Sequence, residues 1–352
     1  MTAAADRLVD WPLAARVGRR VAGAGPKLDP AERAAVTEDF SELVPRAGAL
    51  VSEFTNLAPG PERPRAWVMT RGEWIDQNLR GFRRVIDPFA GRVMKRDDGR
   101  LAGFRRAALG AQLGLLLGYL SRRVLGQYDL FLPPEDQGLL YFVAPNVVGV
   151  ERRYRFPARD FRTWVALHEV SHQVQFGGVP WLRGHISGLV DDYFESMHLD
   201  PRELIDALRR AVREVRSGDA EWRGIGFLVL LMTPEQRQTF RRMQAVMSLL
   251  EGHGNFVMDT LAHRERVGDV ARMKRTLRER RRATPGLEKA FQKAIGFEAK
   301  SRQYDVGERF VAEVVERVGM EGFNRVWEDA GNLPTLEEVG RPERWVHRVG
   351  AS

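Results

Sequence analysis

The sequence predicts a mainly α-helical protein with a small β element. Apolar residues recur close to the 3.6-residue period of a helix over residues 71–86, and a second long helical stretch covers residues 233–262. β-branched and aromatic residues are most concentrated in residues 139–150, which read as strand material. The chain has 352 residues with no internal repeat and no low-complexity linker, so we expect one domain, residues 1–352.

Residues 1–135 are expected to form a helical N-terminal part. A first helix is predicted over residues 14–21. The pair Asp29-Pro30 then begins a second helix, because aspartate caps helices and proline suits the first helical position. We expect this helix to end near Leu43, since Pro45 disfavours helical geometry at the residue before it.

Further along the N-terminal part, residues 104–125 are predicted to be helical. Glycines recur every four residues at Gly110, Gly114 and Gly118, a spacing that lets a second helix approach closely. The apolar run at residues 107–120 is shorter than the roughly 20 residues that a membrane span needs. We therefore interpret it as a core helix and expect no membrane span.

The strand region is assigned to residues 138–152. It is interrupted by Pro145-Asn146 and is expected to form a hairpin or a short sheet edge just before the next helix. Residues 157–265 are expected to form the core of the candidate site, including a helix over residues 201–215. A helical C-terminal part, residues 266–352, follows.

Composition restricts the possible functions. The absence of cysteine excludes disulfides and thiolate metal ligands and fits a reducing cytosol. Residues 1–7 lack a secretory pattern, so we expect a cytoplasmic protein. The net charge of +8 comes mainly from arginine, and the densest basic run is residues 272–282. Such a run is usually a solvated helix face, so a nucleic-acid partner is not expected.

The segment His168-Glu169-Val170-Ser171-His172 carries the residue types of a metal hydrolase site. A helix turns by about 100° per residue, so two histidines four apart share a face and can bind one ion. A glutamate beside the first histidine can take a proton from a water whose pKa the metal lowers. We therefore predict that His168 and His172 bind zinc and that Glu169 is the general base.

Chance is a weak explanation of this motif. With 7 histidines in 352 residues, about 0.01 accidental matches are expected. Residues 161–176 are compatible with a helix that Gly177-Gly178 would end. A pair of hydrogen-bonded core histidines is the alternative. A third histidine of the extended motif is absent, because Gln175 and Gly178 stand where glycine and histidine would be.

A catalytic zinc ion usually has three protein ligands, so two histidines leave the site incomplete. Glu251 is the first candidate, because it follows an apolar stretch on a long helix; a salt-bridged surface glutamate is the alternative. His253 competes but lies about 200° around the helix from Glu251. Asn255 and Asp259, one and two turns after Glu251, are suited to hydrogen-bond the far nitrogens of the ligand histidines.

Segments around and beyond the motif carry a family resemblance that covers nearly the whole chain. The chain resembles the actinobacterial zincin-like metalloprotease family, and its N-terminal, middle and C-terminal stretches resemble the branch associated with biosynthesis of the deazaflavin coenzyme. The stretches that resemble the family are residues 165–176, 250–253 and 257–259; those that resemble the branch are residues 9–14, 124–129 and 300–304.

The resemblance implies a zincin-like, mostly helical fold. It implies a metal bound by His168, His172 and Glu251, with Glu169 as the catalytic base. It supplies no substrate. One departure is Gly254-Asn255-Phe256, where we expect Ala-Glu-His in related chains, so a role of that glutamate or histidine near the metal would be weaker here.

Two functional hypotheses from different classes follow. The first is a zinc-dependent metallopeptidase or amide hydrolase that acts on a peptide or amide of unknown identity, with Tyr304 and His347 as candidate oxyanion donors. The alternative is a non-catalytic, metal-containing binding module associated with a coenzyme biosynthesis pathway. The presence of Glu169 favours the enzyme, because a structural site needs ligands but no base.

Overall fold

The chain divides into two compact units, each built from several segments. The computed structural model describes residues 8–93, 100–130, 136, 138–196, 232–282 and 297–350. The first unit comprises Met1–Val51, Pro59–Gly177 and Arg264–Gly268, and the second comprises Ser52–Ala58, Gly178–His263 and Asp269–Ser352. The organisation as one domain with the four parts given above stays a prediction, and the helix expected over residues 201–215 lies outside the described residues.

Most described elements are helices, which confirms the predicted fold class. The first unit contains, in chain order, α1 (Trp11–Ala22), α2 (Pro30–Thr55, whose last turn belongs to the second unit), β1 (Arg65–Met69), α3 (Arg71–Val93), α4 (Arg100–Leu120), β2 (Gly126–Tyr128), β3 (Leu139–Val143), α5 (Ala144–Tyr154) and α6 (Ala158–Gly178). The second unit contains α7 (Pro180–Glu195), α8 (Pro234–Arg264), α9 (Val270–Arg282), α10 (Phe297–Asn324), two short 3-10 turns (Arg325–Trp327 and Ala330–Asn332), α11 (Leu336–Gly340) and α12 (Pro342–Gly350).

The three strands form one mixed sheet with the order β1-β3-β2. β1 runs parallel to β3 and β2 runs antiparallel to it, with Tyr141 opposite both Trp67 and Gln127. The prediction of a sheet edge at this segment was wrong, because β3 is the central strand. Its residues from Leu140 to Val143 are buried, which explains a continuous apolar run in place of alternation.

The second half of the predicted strand region is a helix. Pro145 lies in the first turn of α5, where its missing N–H has no helical partner to lose. Val147, Val148 and Val150 are buried on that helix. The strand prediction failed beyond Val143 because burial of these valines outweighs the slight helix penalty of β-branched residues.

Helix α2 continues through Pro45 to Thr55, so the predicted end near Leu43 was wrong. A proline inside a helix costs about 3 kcal/mol. Burial of a valine-sized side chain contributes about 1.5–3 kcal/mol. Val44 and Val51 are fully buried on the continuing helix, so burial outweighs the proline penalty.

Helices α1 and α4 pack closely through the glycines of α4. A Cβ atom at Gly110 or Gly114 would lie 2.5 Å from the carbonyl oxygen of Asp10 or Ala14, and one at Gly118 would lie 2.6 Å from that of Gly18. The predicted packing role of the glycine spacing is confirmed. Within the part of the chain that the structure describes, no helix has the length and apolarity of a membrane span.

The second unit is held together by a close crossing of α8 and α10 at two glycines. A Cβ atom at Gly252 would collide with the backbone of Gly307. Gly319 has a positive φ of 72° and kinks α10, a backbone conformation that glycine adopts at low cost. α10 runs helically up to this kink.

The basic run of residues 272–282 lies on α9, which is packed on one side. Met273 and Leu277 are buried. On the same helix, Lys274 forms ion pairs with Asp259 and Glu308. The basic run is therefore partly neutralised within its own unit.

Candidate metal centre

Helix α6 carries the histidine motif and is anchored by a buried ion-pair network. The Arg162 guanidinium donates two hydrogen bonds of 2.9 Å to the Glu151 carboxylate on α5 and one of 2.7 Å to Asp39 on α2. Arg162 and Glu151 are both buried. Burial raises the pKa of Glu151 above its ordinary value, and the hydrogen bonds from Arg162 oppose that shift. The network fixes the rotation of α6 at a point six residues before the first histidine.

The two histidines of the motif face each other on α6. Their Nε2 atoms are 3.3 Å apart, and their ring planes are nearly perpendicular. Two nitrogens that each lie about 2.0–2.1 Å from a tetrahedral zinc ion are separated by about 3.3 Å. The spacing of His168 and His172 therefore fits two ligands of one zinc ion without rearrangement.

The other ring nitrogen of His172 contacts a side chain of the same helix. Its Nδ1 lies 2.9 Å from Oε1 of Gln175, one turn later, and Gln175 is fully buried. The sequence analysis noted Gln175 only as a departure from the glycine of the extended histidine motif and as part of the stretch that resembles the family. The signal that could have found it is the spacing of three residues after His172, at which helix side chains meet.

Glu169 lies between the two histidines in sequence and faces strand β2. Its carboxylate is mostly buried, and Oε2 accepts a hydrogen bond of 3.2 Å from the Tyr128 backbone N–H. A Cβ atom at Gly126 would lie 2.5 Å from Cγ of Glu169, so only glycine permits this approach. The sequence analysis missed both contacts, because a backbone donor has no residue-type signature.

Strand β2 presents to Glu169 the edge that faces away from β3. The Val143 N–H donates to the Leu125 carbonyl, so Leu125 and Gln127 point their main-chain groups at β3. In an antiparallel pair the alternate residues point away, which places the main-chain groups of Gly126 and Tyr128 on the outer edge. The Gln127 side chain exchanges hydrogen bonds with Asn78 of α3, which steadies the strand.

The chain matches the family profile described as "Zincin-like metallopeptidase" over residues 9–346. It belongs to the zincin-like metallopeptidase family. A solved structure described as that of "a putative hydrolase with a novel fold from Chloroflexus aurantiacus" is similar at 30% sequence identity and a TM-score of 0.72, with 98% of this chain and 100% of that chain covered. No curated protein matches the chain significantly in sequence.

In this member of the zincin-like metallopeptidase family, the other predicted site residues belong to the second unit. Glu251 is partly buried on α8, one residue after the buried Leu250. His253 is fully buried, its ring stacked on Phe323 at a centroid distance of 5.4 Å. α6 thus brings His168, Glu169 and His172 together, while the inclusion of Glu251 stays a proposal.

Four further residues were expected to support the zincin-like site, two as hydrogen-bond partners of the ligand histidines and two as oxyanion donors. Asn255 is partly buried on α8, and Asp259 forms an ion pair with Lys274 of α9. His347 is exposed on α12, and the backbone of Tyr304 lies within α10, while its side chain lies outside the described part of the structure. The oxyanion donor is therefore not identified among these residues.

Proposed function

We propose that the protein is a zinc-dependent metallopeptidase or amide hydrolase whose metal ligands are His168, His172 and Glu251. The observation that carries this proposal is the 3.3 Å separation of the two Nε2 atoms beside the buried carboxylate of Glu169. Membership of a metallopeptidase family and likeness to a structure described as a putative hydrolase support it. The donor set of two histidines and one carboxylate suits zinc.

Glu251 is proposed as the third ligand because its neighbours on α8 are engaged elsewhere. The His253 ring packs between Phe323 and Trp327 in the apolar interior of the second unit. The carboxylate of Asp259 pairs with Lys274. Glu251 follows the buried pair Leu249 and Leu250 and is itself only partly exposed, and a bound metal ion would offset the cost of placing a carboxylate there.

Glu169 is proposed as the general base, and a neighbouring backbone N–H orients its carboxylate. When bound, zinc supplies a Lewis acid that makes water more acidic and polarises a carbonyl oxygen. Glu169 takes the proton of the attacking water on its carboxylate and later gives it to the leaving amine. The Tyr128 N–H holds one carboxylate oxygen in place, so the base keeps one orientation through both transfers.

A peptide substrate fits the strand edge beside Glu169. The main-chain groups of Gly126 and Tyr128 lie on the outer edge of β2, next to the proposed base. An extended peptide can pair its main chain with this edge at Gly126, as in other cases of strand addition, while the Tyr128 N–H stays donated to Glu169. The Tyr128 ring stacks on Phe176 of α6 at 5.5 Å and adds an aromatic surface there.

The association of this protein with biosynthesis of the deazaflavin coenzyme is proposed from the sequence resemblance alone. The non-catalytic binding module is kept as the competing function. It shares the two histidine ligands but gives no task to Glu169, and the hydrogen bond that orients this carboxylate beside a strand edge favours the hydrolase.

Metal content and peptide hydrolysis together test the proposed function. We expect about one zinc per wild-type chain by elemental analysis, lost in folded His168→Ala and Glu251→Ala. His347→Ala is the matched control, because that histidine is exposed on α12 and should leave the zinc content unchanged. A mixed peptide library, followed by mass spectrometry, should show cleavage that a chelator abolishes. A folded wild type without metal after zinc is supplied would overturn the hydrolase and leave the binding module.

A further inference from the structure

We infer that Gln175 is a positioning residue that holds His172 in the tautomer needed to bind the metal, an inference that rests on the proposed function. The Oε1 atom of Gln175 lies 2.9 Å from Nδ1 of His172. Gln175 is fully buried on the same helix, although a glutamine amide is costly to remove from water. A buried polar side chain aimed at a ligand histidine points to a role in that ligand's chemistry.

The tautomer follows from which atoms can donate. A neutral imidazole carries one N–H, and an amide oxygen only accepts hydrogen bonds. The contact with Gln175 therefore places the proton of His172 on Nδ1 and leaves a lone pair on Nε2. That lone pair is on the atom 3.3 Å from the Nε2 of His168, so the two Nε2 atoms would be the ones to hold the proposed ion. An acceptor on the far nitrogen also increases the basicity of the ligand and fixes the ring orientation.

The contact between Gln175 and His172 is formed within a single helix, α6. Gln175 is three residues after His172, so both side chains project from adjacent turns of α6 and need no other element to meet. The ion pairs of Arg162 join α6 to α5 and α2, whereas the contact of Gln175 with His172 lies within α6. Loss of Gln175 should therefore affect the orientation of the His172 ring directly.

Gln173 offers a matched control on the same helix. It is nearly as buried as Gln175, and its amide nitrogen donates a hydrogen bond of 3.0 Å to the Glu62 carbonyl, not to a histidine. Gln173→Leu and Gln175→Leu remove the same amide from the same helix. A purely structural role for Gln175 predicts similar effects of the two substitutions on zinc binding.

Two measurements test the inference. Long-range nitrogen–proton NMR of the metal-free protein, labelled on histidine and kept at about pH 8 where imidazole is neutral, should show His172 protonated on Nδ1. Zinc affinity, measured by competition with a chromophoric chelator, should fall about 10–100-fold in Gln175→Leu. It should return to the wild-type range in Gln175→Glu, which keeps the acceptor, and stay unchanged in Gln173→Leu.

The outcomes separate this inference from the proposed function. A wild type with the His172 proton on Nε2 would overturn the role of Gln175, even if zinc binds. Equal loss of zinc affinity in Gln173→Leu and Gln175→Leu would overturn it as well. If Gln175→Leu does not fold, the wild-type tautomer and Gln175→Glu still decide. If the wild type binds no zinc, the proposed function fails, and the loss of the Nδ1-protonated form of His172 in Gln175→Leu, with its retention in Gln175→Glu, remains the readout for Gln175.

Discussion

Helices α6 and α8 both bury long stretches of sequence but use different side chains to do so. The interior of α8 is mainly apolar, and its closest crossing, with α10, depends on the absence of side chains at Gly252 and Gly307. The interior of α6 includes five polar or charged residues: Arg162, Glu169, Ser171, Gln173 and Gln175. Shape alone fixes how closely two helices approach. Directional hydrogen bonds also fix the rotation of a helix, which a pair of metal ligands requires.

The largest expected effect is the loss of catalysis in Glu169→Gln. The amide oxygen can still accept the hydrogen bond from the Tyr128 N–H. It cannot take a proton from water, so peptide hydrolysis should fall about 10²–10⁴-fold. Zinc content should equal that of the wild type, because Glu169 is not a proposed ligand. Elemental analysis and cleavage rates on the same preparation check both points. A variant as active as the wild type would remove Glu169 from the role of base.

The next largest effect is the loss of stability in Arg162→Met. Removal of this guanidinium leaves the buried Glu151 carboxylate without its partner, which typically costs about 3–5 kcal/mol. Urea unfolding followed by circular dichroism measures the change. The double variant Arg162→Met with Glu151→Met removes both charges and should recover most of the loss. A double variant as unstable as the single one would show that packing, and not charge, holds α6 in place.

The stability of the α8 crossing should be sensitive to added side-chain volume, whereas the stability of α6 is sensitive to loss of a buried charge. Gly252→Ala places a methyl group against the Gly307 backbone and should destabilise the protein by about 1–3 kcal/mol. Gly188→Ala, on α7, is the matched control. Beyond its chain neighbours and its own helical turns, no atom of the described residues lies within 4 Å of its added Cβ, so alanine should be neutral or stabilising by up to about 1 kcal/mol. Equal effects of the two substitutions in urea unfolding would contradict a shape-limited crossing.

The same contrast explains what the sequence could predict. The motif helix α6 and the long helix α8 follow from periodicity and spacing over many residues, and both are present. Strand β2 was missed because three residues are too few for a periodic signal. The helix α5 was missed because its valines favour strands locally, while burial decides their conformation. Local patterns predict long elements well, whereas short elements depend on tertiary contacts.

The candidate site divides along a similar line. His168, Glu169 and His172 are recognisable because their chemistry requires particular residue types at a fixed spacing. The contact of Glu169 with Tyr128 uses a backbone N–H, which any residue except proline could supply. The need for a glycine at position 126 is visible only in the structure, which shows the Glu169 side chain packed against it. Sequence thus predicts the reacting groups, and the structure adds the groups that orient them.

The smallest expected effect is a pH dependence that isolates Glu151. Burial raises the pKa of Glu151 above 4.5, and in Arg162→Met the opposing guanidinium is gone, so the pKa rises further. Between 4.5 and that raised pKa, the folded state binds a proton that the unfolded state has released. The free energy of unfolding of Arg162→Met should therefore fall as pH rises through this window, by at most about 1.4 kcal/mol per pH unit.

Comparison with a second variant assigns this slope to Glu151. Arg162→Met with Glu151→Gln keeps the size of the side chain but cannot titrate, so the extra slope should vanish from its urea unfolding curves between about pH 5 and pH 8. Asp39, the other partner of Arg162, is unchanged in both variants and cancels in the difference. Parallel pH profiles of the two variants would mean that Glu151 stays ionised without Arg162, because water or another cation replaces the guanidinium. The rotation of α6 would then depend less on that one buried pair than on the hydrogen bonds nearer the histidines.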